Sequence, residues 1–386
     1  MAYRRAKLSR VSGETTCRIS SANFGEGHAV KLPIIGTLGS HSAEEIGVAA
    51  KSHGFDTVIV CEKGREKLYS KYDKHLFDHF ILLDRFDEVL GEEVQTELTE
   101  LNTLWIPNRA FTTYVPYDDI EKRFKIPIYG NRGLLRVEDR GGPRDQQWLL
   151  DQCGIRTPKR FTPNRIDRLA IVKVHQKARP HERAFFCVVS AADYESQSRT
   201  LIKQGVISEK ELANATIEEF VIAARFNANF QAYAIEDDFG ALDLVGFDDR
   251  IQTNLGGLLN LPARDQLKLT APVTNEEAGH FGVTMRESKK PLVYETAEKF
   301  LVGVRKHFPP KMIGLFSLQG ALTEQSEFVV FDVSVRVPGA PCVGPTSPEM
   351  RRLALKLKQP IESPLDLCMI DIKTAAEEGR LAEAST

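Results

Sequence analysis

The chain first shows an ordered pattern near residue 33, where a short apolar run, a glycine-containing turn, a helix-like segment and a second apolar run follow one another. Gly54 lies just past the helix-like segment, where a helix C-cap favours glycine. A strand–helix–strand unit of this kind indicates a parallel, doubly wound sheet. The predicted elements are a strand at Pro33–Thr37, a turn at Leu38–His41, a helix from about Ser42 to Ser52 and a strand at Phe55–Cys61.

The later part of the chain alternates apolar and polar positions, as half-buried antiparallel strands do. The segment 171–189, IVKVHQKARPHERAFFCVV, gives two strand-like runs joined by a cationic loop, and residues 216–235 predict a strand pair. Residues 314–322 and 328–337 predict a hairpin closed by the turn TEQSE. The other predictions are helices at 143–154 and 293–308, a strand entering a loop at 241–254, and a frayed polar tail after Asp371.

These patterns predict an α/β and α+β chain in which residues 32–128 form a Rossmann-like parallel domain. Residues 129–221 are expected to form a linker and a small antiparallel subdomain. Residues 222–372 are expected to form a second antiparallel subdomain that contains the hairpin. A polar N-terminal extension at 1–31 and a polar tail at 373–386 flank these domains.

The composition is that of an ordinary globular protein, with 42% hydrophobic and 27% charged residues among 386. Lysine and arginine number 51 against 53 aspartates and glutamates, so no bulk charge favours nucleic acid or an anionic membrane. No run is long enough to span a bilayer, and the first residues do not form a signal peptide. Six scattered cysteines without a C-x-x-C pair predict reduced thiols in a cytoplasmic protein rather than zinc or a disulfide framework.

Walker A, GxGxxG, GxSxG and HExxH motifs are absent from the sequence. Four other features suit the binding of phosphate or metal, and each also has a purely structural explanation. The turn GTLGSH precedes a helix N-terminus, where free N–H groups bind anions, but many such turns use glycine for geometry alone. Lys173 stands in a strand-like run, so its charge must be paired or reach a ligand. Glu218–Val221 (EEFV) suits an adenine hinge or a solvated strand end. Gln319 and Asp332, 13 residues apart on the hairpin, either share a Mg²⁺ ion or pair across the sheet.

In this order, the strand–helix–strand start, the lysine on a small sheet, the EEFV segment and the late hairpin resemble the ATP-grasp architecture. The closer resemblance is to the archaeal-type, formate-dependent 5-formaminoimidazole-4-carboxamide ribonucleotide (FAICAR) synthetases of purine biosynthesis. It extends from about Ile34 to Ile372 and rests on TLGSHSA, VCEKGRE, PIYGNRGLLRVE, NLGGLLNLPARDQL and FVVFDVSVRV. The resemblance implies an ATP-grasp fold preceded by the Rossmann-like domain.

The resemblance also implies a ligase reaction. ATP phosphorylates formate, and the amine of 5-aminoimidazole-4-carboxamide ribonucleotide (AICAR) attacks the formyl phosphate to give FAICAR, ADP and phosphate. The implied cofactors are ATP and Mg²⁺ (or Mn²⁺), the partners are these small molecules rather than nucleic acid or a membrane, and family members form homo-oligomers. The implied residues are His41 and Asn254 for the substrate; Lys173, Arg179, Arg183, Glu218, Glu219, Phe220 and Val221 for ATP; Gln319 and Asp332 for the metal; and Arg286 and Arg336 as catalytic phosphate partners.

Four segments depart from the family pattern and favour a divergent paralogue. ARPHERAF replaces a glycine-rich R-G-G-R-G flap, and its Pro180 removes a backbone donor. The family's glutamate at the hairpin is here Asp332, one methylene shorter. VPGAPCVG replaces a glycine-glycine-threonine-asparagine run of the family. Pro107–Ala110 replaces a P-H-G-S element, so this chain lacks the serine that the family has near the substrate.

Three hypotheses therefore stay open. The first is an active ligase for AICAR and formate, supported by the retained site residues. The second is an ATP-grasp ligase with a different acid or amine, favoured by Arg109 and the rebuilt loop at 338–346. The third is a catalytically inactive homologue that binds a nucleotide, favoured by the lost glycine flap and by Asp332.

Overall fold

The computed structural model describes residues 31–138, 142–174, 185–235, 241–251, 261–268, 279–339 and 343–386. Within these ranges the strands form three sheets, which occupy successive stretches of the chain. The first sheet is parallel and the other two are antiparallel. The predicted combination of a Rossmann-like parallel domain with antiparallel sheets is confirmed.

The parallel sheet contains β1 (Ile34–Leu38), β2 (Thr57–Glu62), β3 (His79–Leu83) and β4 (Thr103–Trp105), in the order β3–β2–β1–β4. β1 and β2 are almost entirely buried, as strands covered on both faces are. The helix between them ends before Gly54, which has a φ of 82°. Glycine adopts this left-handed conformation without steric cost, so the C-cap pattern correctly predicts the end of the helix.

The small antiparallel sheet contains β5 (Arg160–Phe161), β6 (Ala170–Lys173), β7 (Phe185–Val188) and β8 (Thr216–Glu219), in the order β5–β8–β6–β7. β6 and β7 are the two runs predicted on either side of the cationic loop, and they pair with each other. Val172, Phe186 and Ile217 form part of a separate small apolar core on this sheet. The loop itself, residues 175–184, lies outside the described residues.

The large antiparallel sheet contains β9 (Ala224–Ala232), β10 (Leu242–Ile251), β11 (Gly279–Val283), β12 (Gly314–Leu322) and β13 (Phe328–Ser334), in the order β11–β10–β9–β12–β13. The predicted hairpin is present as β12 and β13. The strand pair predicted over 216–235 is wrong, because β8 belongs to the small sheet and β9 to the large one. The alternation of apolar and polar residues indicates which segments are strands. It does not indicate which strands pair, because pairing depends on the apolar faces of segments far away in the chain.

None of the α-helices in the described ranges is long and apolar enough to cross a membrane. They are α1 Ala43–Ser52, α2 Glu92–Glu100, α3 Arg109–Tyr114, α4 Tyr117–Lys122, α5 Gln146–Gln152, α6 Ala191–Lys203, α7 Glu209–Ala213, α8 Ala263–Gln266, α9 Lys290–His307, α10 Pro348–Leu357 and α11 Pro364–Glu377. The predicted helices at 143–154 and 293–308 correspond to α5 and α9.

Aromatic stacking fixes α9 against the large sheet. Phe300 of α9 stacks on Phe316 of β12, with ring centroids 5.5 Å apart, and Phe316 stacks on Phe230 of β9 at 5.2 Å. All three rings are fully buried, and such pairs add about 0.5–1.5 kcal/mol each beyond the burial of their area. This packing covers one face of the sheet with apolar residues, while the other face carries polar side chains together with apolar residues of a second core, such as Val245 and Leu315.

The tail after Asp371 is ordered, so the prediction that it frays is wrong. α11 continues to Glu377, and the last residue pairs with the segment that follows the first sheet. The backbone N–H of Ile128 donates to the carbonyl oxygen of Thr386 and the reverse bond is also made, both at 3.0 Å. The guanidinium of Arg132 donates to the same carbonyl oxygen at 2.8 Å. The polar sequence misleads here because backbone hydrogen bonds hold the end of the chain, and because its few apolar residues, such as Ala375 and Ala384, are buried in an apolar core.

The domain boundaries at 128/129 and 221/222 are retained as a proposal. The change of sheet between β8 and β9 coincides with the second boundary. The apolar core crosses the first one, because Trp105 of the parallel sheet and Phe316 of the large sheet belong to one buried cluster. We therefore expect residues 32–128 and 222–372 to unfold together.

Candidate functional site

An open cleft of about 80 Å³ is lined by the loop after β1 and by polar residues of the large sheet. Five side chains that are or can become cationic line it, against two carboxylates, so the cleft favours anionic groups. These residues are His41, Arg109, Arg250, His280 and Arg336, with Glu138 and Asp332.

The loop that carries His41 is strained and held by one buried side chain. His41 and Ser42 have φ values of 28° and 51°, in the left-handed region that residues other than glycine avoid. The side-chain amide of Asn108 donates to the carbonyl oxygens of Leu38 and Ser40 at 2.8 Å each and to that of His41 at 3.1 Å. The side-chain oxygen of the same Asn108 caps α3. Asn108 therefore fixes both the loop and the helix that starts beside it.

We expect Asn108→Ala to lower the free energy of unfolding by about 2 kcal/mol, since buried carbonyls lose a donor and α3 loses its cap. Ligand binding in the cleft should weaken as well, because His41 is no longer held. Urea denaturation measures the first effect. Asn214→Ala is the matched control: the exposed Asn214 amide also donates to a backbone carbonyl, that of Lys210, at 3.0 Å. Equal losses in both variants would show that Asn108 has no special role.

Gln319 and Asp332 face each other directly on β12 and β13, as their spacing predicts. The same row continues through Asn227 of β9 to Asp248 of β10. The register of the hairpin shifts after Gln319 and skips Phe331, which is a β-bulge in which two residues oppose one. The row therefore presents amide and carboxylate side chains across four neighbouring strands on the polar face of the sheet.

Glu138 holds two arginines at the edge of the cleft. Its buried carboxylate lies 3.1 Å from Nη1 of Arg109 and 3.3 Å from Nη2 of Arg336, and it also accepts from the backbone N–H of Val335 at 3.0 Å. Burial lowers the pKa of the Arg336 guanidinium. The buried Nε of Arg336 has no partner among the described residues. A buried donor of this kind calls for a partner such as an ordered water, an ion or a ligand.

A buried carboxylate–histidine pair lies at the other end of the row. Asp248 is 1% exposed and accepts from the side-chain amides of Asn227 at 2.8 Å and Asn229 at 2.7 Å. Its Oδ2 also lies 2.6 Å from Nδ1 of His280 on β11. These bonds fix the position of the His280 ring in the wall of the cleft.

A second, smaller pocket lies between the small sheet, α5 and β13. Nζ of Lys173 lies 2.5 Å from the carboxylate of Glu218, and their side chains are only 15% and 9% exposed. Both residues line this pocket, and so does Phe331, whereas the next residue, Asp332, lines the cleft. The two sites are therefore adjacent along one strand.

The remaining residues of the EEFV segment lie where the chain passes from the small sheet to the large one. Glu219 contacts Arg156 and the backbone N–H of Lys159, both at 3.2 Å, and does not line the smaller pocket. The backbone N–H of Phe220 donates to the carbonyl oxygen of Leu169, and Val221 follows in the link to β9. The segment thus has the position of a hinge between two sheets, with Glu218 directed inward.

The structure does not bring Arg286 to either pocket. It is exposed and lies before the short 3₁₀ helix Glu287–Lys289, and its role as a phosphate partner stays a prediction. Arg179, Arg183 and Asn254 lie outside the described residues and remain predictions.

The sequence did not predict the positions of Glu138, Arg250, Asp248 and His280 in this region. The sequence held one signal for Asp248. This aspartate directly follows the apolar run LVGF of β10, at a position where the alternation of the strand predicts a side chain that faces inward. A carboxylate at such a position must be bonded or paired. The other three come from separate segments that meet only in the folded chain.

Two family models match the chain, one described as a protein of unknown function (DUF1246) over residues 35–161 and one as a domain of unknown function (DUF1297) over residues 193–386. The chain is 35% identical over 306 residues to a 5-formaminoimidazole-4-carboxamide-1-(beta)-D-ribofuranosyl 5'-monophosphate synthetase of Methanocaldococcus jannaschii. The match covers 79% of this chain and 82% of that protein.

Two solved structures share the fold. An IMP biosynthesis protein, PurP, from Thermococcus kodakaraensis superposes with a TM-score of 0.66 at 21% identity, covering 92% of this chain and all of that one. The ADP complex of an N5-carboxyaminoimidazole ribonucleotide synthetase gives a TM-score of 0.57 at 11% identity, covering 88% of this chain and 81% of that one. At these identities the likeness establishes the fold alone.

Proposed function

The chain belongs to the family of 5-formaminoimidazole-4-carboxamide-1-(beta)-D-ribofuranosyl 5'-monophosphate synthetases, and from this premise we propose that it is an ATP-dependent ligase that converts AICAR and formate to FAICAR. ADP and phosphate are the other products, and formyl phosphate is the intermediate. The observation that carries the proposal is the position of β13. Its Asp332 faces the cationic cleft beside Gln319, while its Phe331 lines the pocket of Lys173.

The pocket of Lys173 is the proposed ATP site. Its lysine supplies a cation for the phosphate chain, and the hinge at Glu218–Val221 borders it where an adenine ring would lie between the sheets. The predicted phosphate contacts of Arg179 and Arg183 extend this site. The shared fold with a ligase that binds ADP supports the assignment.

Gln319 and Asp332 fit a Mg²⁺ or Mn²⁺ ion. They supply two oxygen donors from directly opposed positions, and the Gln319 amide nitrogen is engaged by Ser334 Oγ at 3.1 Å, which orients the amide. The described residues hold no group of three or more His, Cys, Asp or Glu side chains suited to a metal. A site with few protein ligands suits Mg²⁺, which keeps waters and binds substrate phosphates. When bound, the ion neutralises charge on the phosphate groups.

The cationic wall of the cleft is the proposed site of the AICAR phosphate. His41 and the N-terminus of α1 lie on one side, where helix N–H groups attract anions. Arg336 lies on the other side of the cleft. Its Nε donor has no hydrogen-bond partner among the described residues. Asn254 is the further predicted substrate contact.

The residues of the chain contribute chiefly orientation and charge. Lys173 and Arg336 stabilise negative charge as a phosphoryl group passes from ATP to formate. Glu138 keeps Arg336 and Arg109 in place, so that these cations need not reorganise during the reaction. The cleft then holds the amine of AICAR against the formyl carbon, which lowers the entropic part of the barrier.

The test is ADP release by the purified protein with Mg²⁺, ATP, AICAR and formate, each omitted in turn. We expect ADP only when all four are present, together with FAICAR identified by mass. ADP release that ignores AICAR or formate would overturn the proposed substrates and support the alternative acid or amine suggested by Arg109. ATP binding without ADP release would support the inactive homologue.

A further inference from the structure

We propose that Gln146 is a positioning residue for the metal site. Its side chain holds the backbone of β13 beside Asp332 and thereby releases the Asp332 carboxylate to bind the ion. This proposal rests on the proposed function and adds one residue to the same site. Three observations carry it: the bonds along the outer edge of β13, the two acceptors of one backbone donor, and the place of Gln146 in the pocket of Lys173.

The first observation is the way the outer edge of β13 is held. β13 is the last strand of the large sheet, and within the described ranges no strand pairs with its outer edge. The backbone N–H of Val330 donates instead to the carbonyl oxygen of Arg156 at 2.8 Å. Just after the strand, the N–H of Val335 donates to the Glu138 carboxylate at 3.0 Å. Open donors on an edge strand need such partners, so contacts from the segment 138–156 fix β13 in place.

The second observation is that the donor between them, the backbone N–H of Val333, has two acceptors. Oε1 of Gln146 lies 2.8 Å from this nitrogen, and Oδ1 of the preceding Asp332 lies 3.1 Å from it. The shorter distance identifies Gln146 as the principal acceptor. The Asp332 oxygen can therefore turn from this N–H to a metal ion while the donor stays satisfied. Without Gln146, the ion and the buried donor would compete for the same oxygen, which weakens metal binding.

The third observation is the place of Gln146 itself. It is the first residue of α5, whose N-terminus is capped by Asp145, and it is 6% exposed. An amide accepts only through its oxygen, so the bond from Val333 fixes which way the amide of Gln146 points. Gln146 lines the pocket of Lys173, whereas Val333 and Asp332 line the cleft. One buried side chain thus joins the proposed ATP pocket to the backbone beside the proposed metal ligand.

The alternative role for Gln146 is purely structural, as a buried amide that satisfies an edge donor. The two roles predict different measurements. Loss of a structural bond lowers the free energy of unfolding and leaves the affinity for the metal unchanged. Loss of a group that orients a metal ligand also lowers the metal affinity, typically by a factor of about 10–100.

The experiment measures binding rather than turnover. Isothermal titration calorimetry gives the Kd of ATP once in EDTA and once with saturating Mg²⁺, and the ratio of the two values reports how strongly the protein itself contacts the ion. Gln146→Met has a similar length but lacks the acceptor. We expect it to lower this ratio about tenfold, the low end of the range for groups that orient metal ligands. Because it is a ratio, a change in ATP affinity that does not involve the metal cancels.

Gln95→Met is the matched control. Gln95 is 7% exposed, and its Oε1 likewise accepts from a backbone N–H, that of Lys125 at 2.7 Å, but it lines neither the cleft nor the pocket of Lys173. In urea denaturation it should lose about as much stability as Gln146→Met, and it should keep the wild-type ratio. Asp332→Asn removes the carboxylate that Gln146 releases, so adding Gln146→Met to it should lower the ratio no further.

Three results would overturn the proposal. They are a wild-type ratio in Gln146→Met, an equal fall of the ratio in Gln95→Met, and additive effects of Gln146→Met and Asp332→Asn. A different result would count against the proposed function: a wild type whose ATP affinity does not depend on Mg²⁺ removes the proposed metal site itself.

Discussion

Replacing Asp332 with asparagine is expected to lower ADP release about a hundredfold, a change of roughly 2.7 kcal/mol in the barrier, while the fold stays intact. Asp332 supplies the negative charge of the proposed ligand pair with Gln319, and Mg²⁺ binds a neutral amide far more weakly than a carboxylate. The measurement is the initial rate of ADP release against Mg²⁺ concentration, in which the half-saturating Mg²⁺ concentration should also rise.

Asp249→Asn is a close control for this variant. Oδ1 of Asp249 accepts from the next backbone N–H at 2.8 Å, and Oδ1 of Asp332 does the same at 3.1 Å, but Asp249 does not line the cleft. It should keep full activity. Asp332→Glu retains the charge and is expected to stay within about tenfold of the wild type, that is 1.4 kcal/mol. An Asp332→Asn variant as active as the wild type would remove the basis for the proposed metal site.

Replacing Lys173 with methionine is expected to affect both activity and stability. ATP turnover should fall about a hundredfold, because the phosphate chain loses a preorganised cation. The free energy of unfolding should fall by roughly 3 kcal/mol, because the carboxylate of Glu218 is left buried without its partner. ADP release and urea denaturation measure the two effects.

A double variant separates these two effects. Adding Glu218→Gln to Lys173→Met removes the uncompensated charge, so most of the stability should return while the activity stays low. Lys159→Met serves as control, since the Lys159–Asp167 pair lies on the same small sheet but is about half exposed and is worth less than about 1 kcal/mol. If stability and activity return together, Lys173 has only a structural role.

The elements with strong local signals could be predicted from the sequence. The strand–helix–strand start, the cap at Gly54 and the hairpin all follow from short-range periodicity and turn chemistry, and the hairpin places Gln319 opposite Asp332. Lys173 stood out because a charge inside a strand needs a partner, and the structure provides Glu218. The family pattern adds His41 and Arg336, both of which line the cleft.

The parts that depend on distant segments could not be predicted in this way. β9 pairs with β10 and with β12, which lies about ninety positions later in the chain, and not with the preceding β8. The pairing of Glu138 with Arg336 and that of Asp248 with His280 likewise join segments without any local signal. Arg286 shows a related limit: it is exposed and lines neither described pocket, and position in a motif does not specify the direction of a side chain.

The bulge at Phe331 has a consequence for how such a site diverges. A regular strand would point consecutive side chains to opposite faces, but the bulge lets Phe331 and Asp332 oppose the same residue and serve two neighbouring pockets. One peptide unit, about 3.8 Å from Cα to Cα, therefore joins the two residues that line the two pockets. That spacing is covalent, so it survives changes in helix packing, in loops and in the glycine-rich flap. Mutation can thus remodel either pocket while the two pockets stay adjacent on β13.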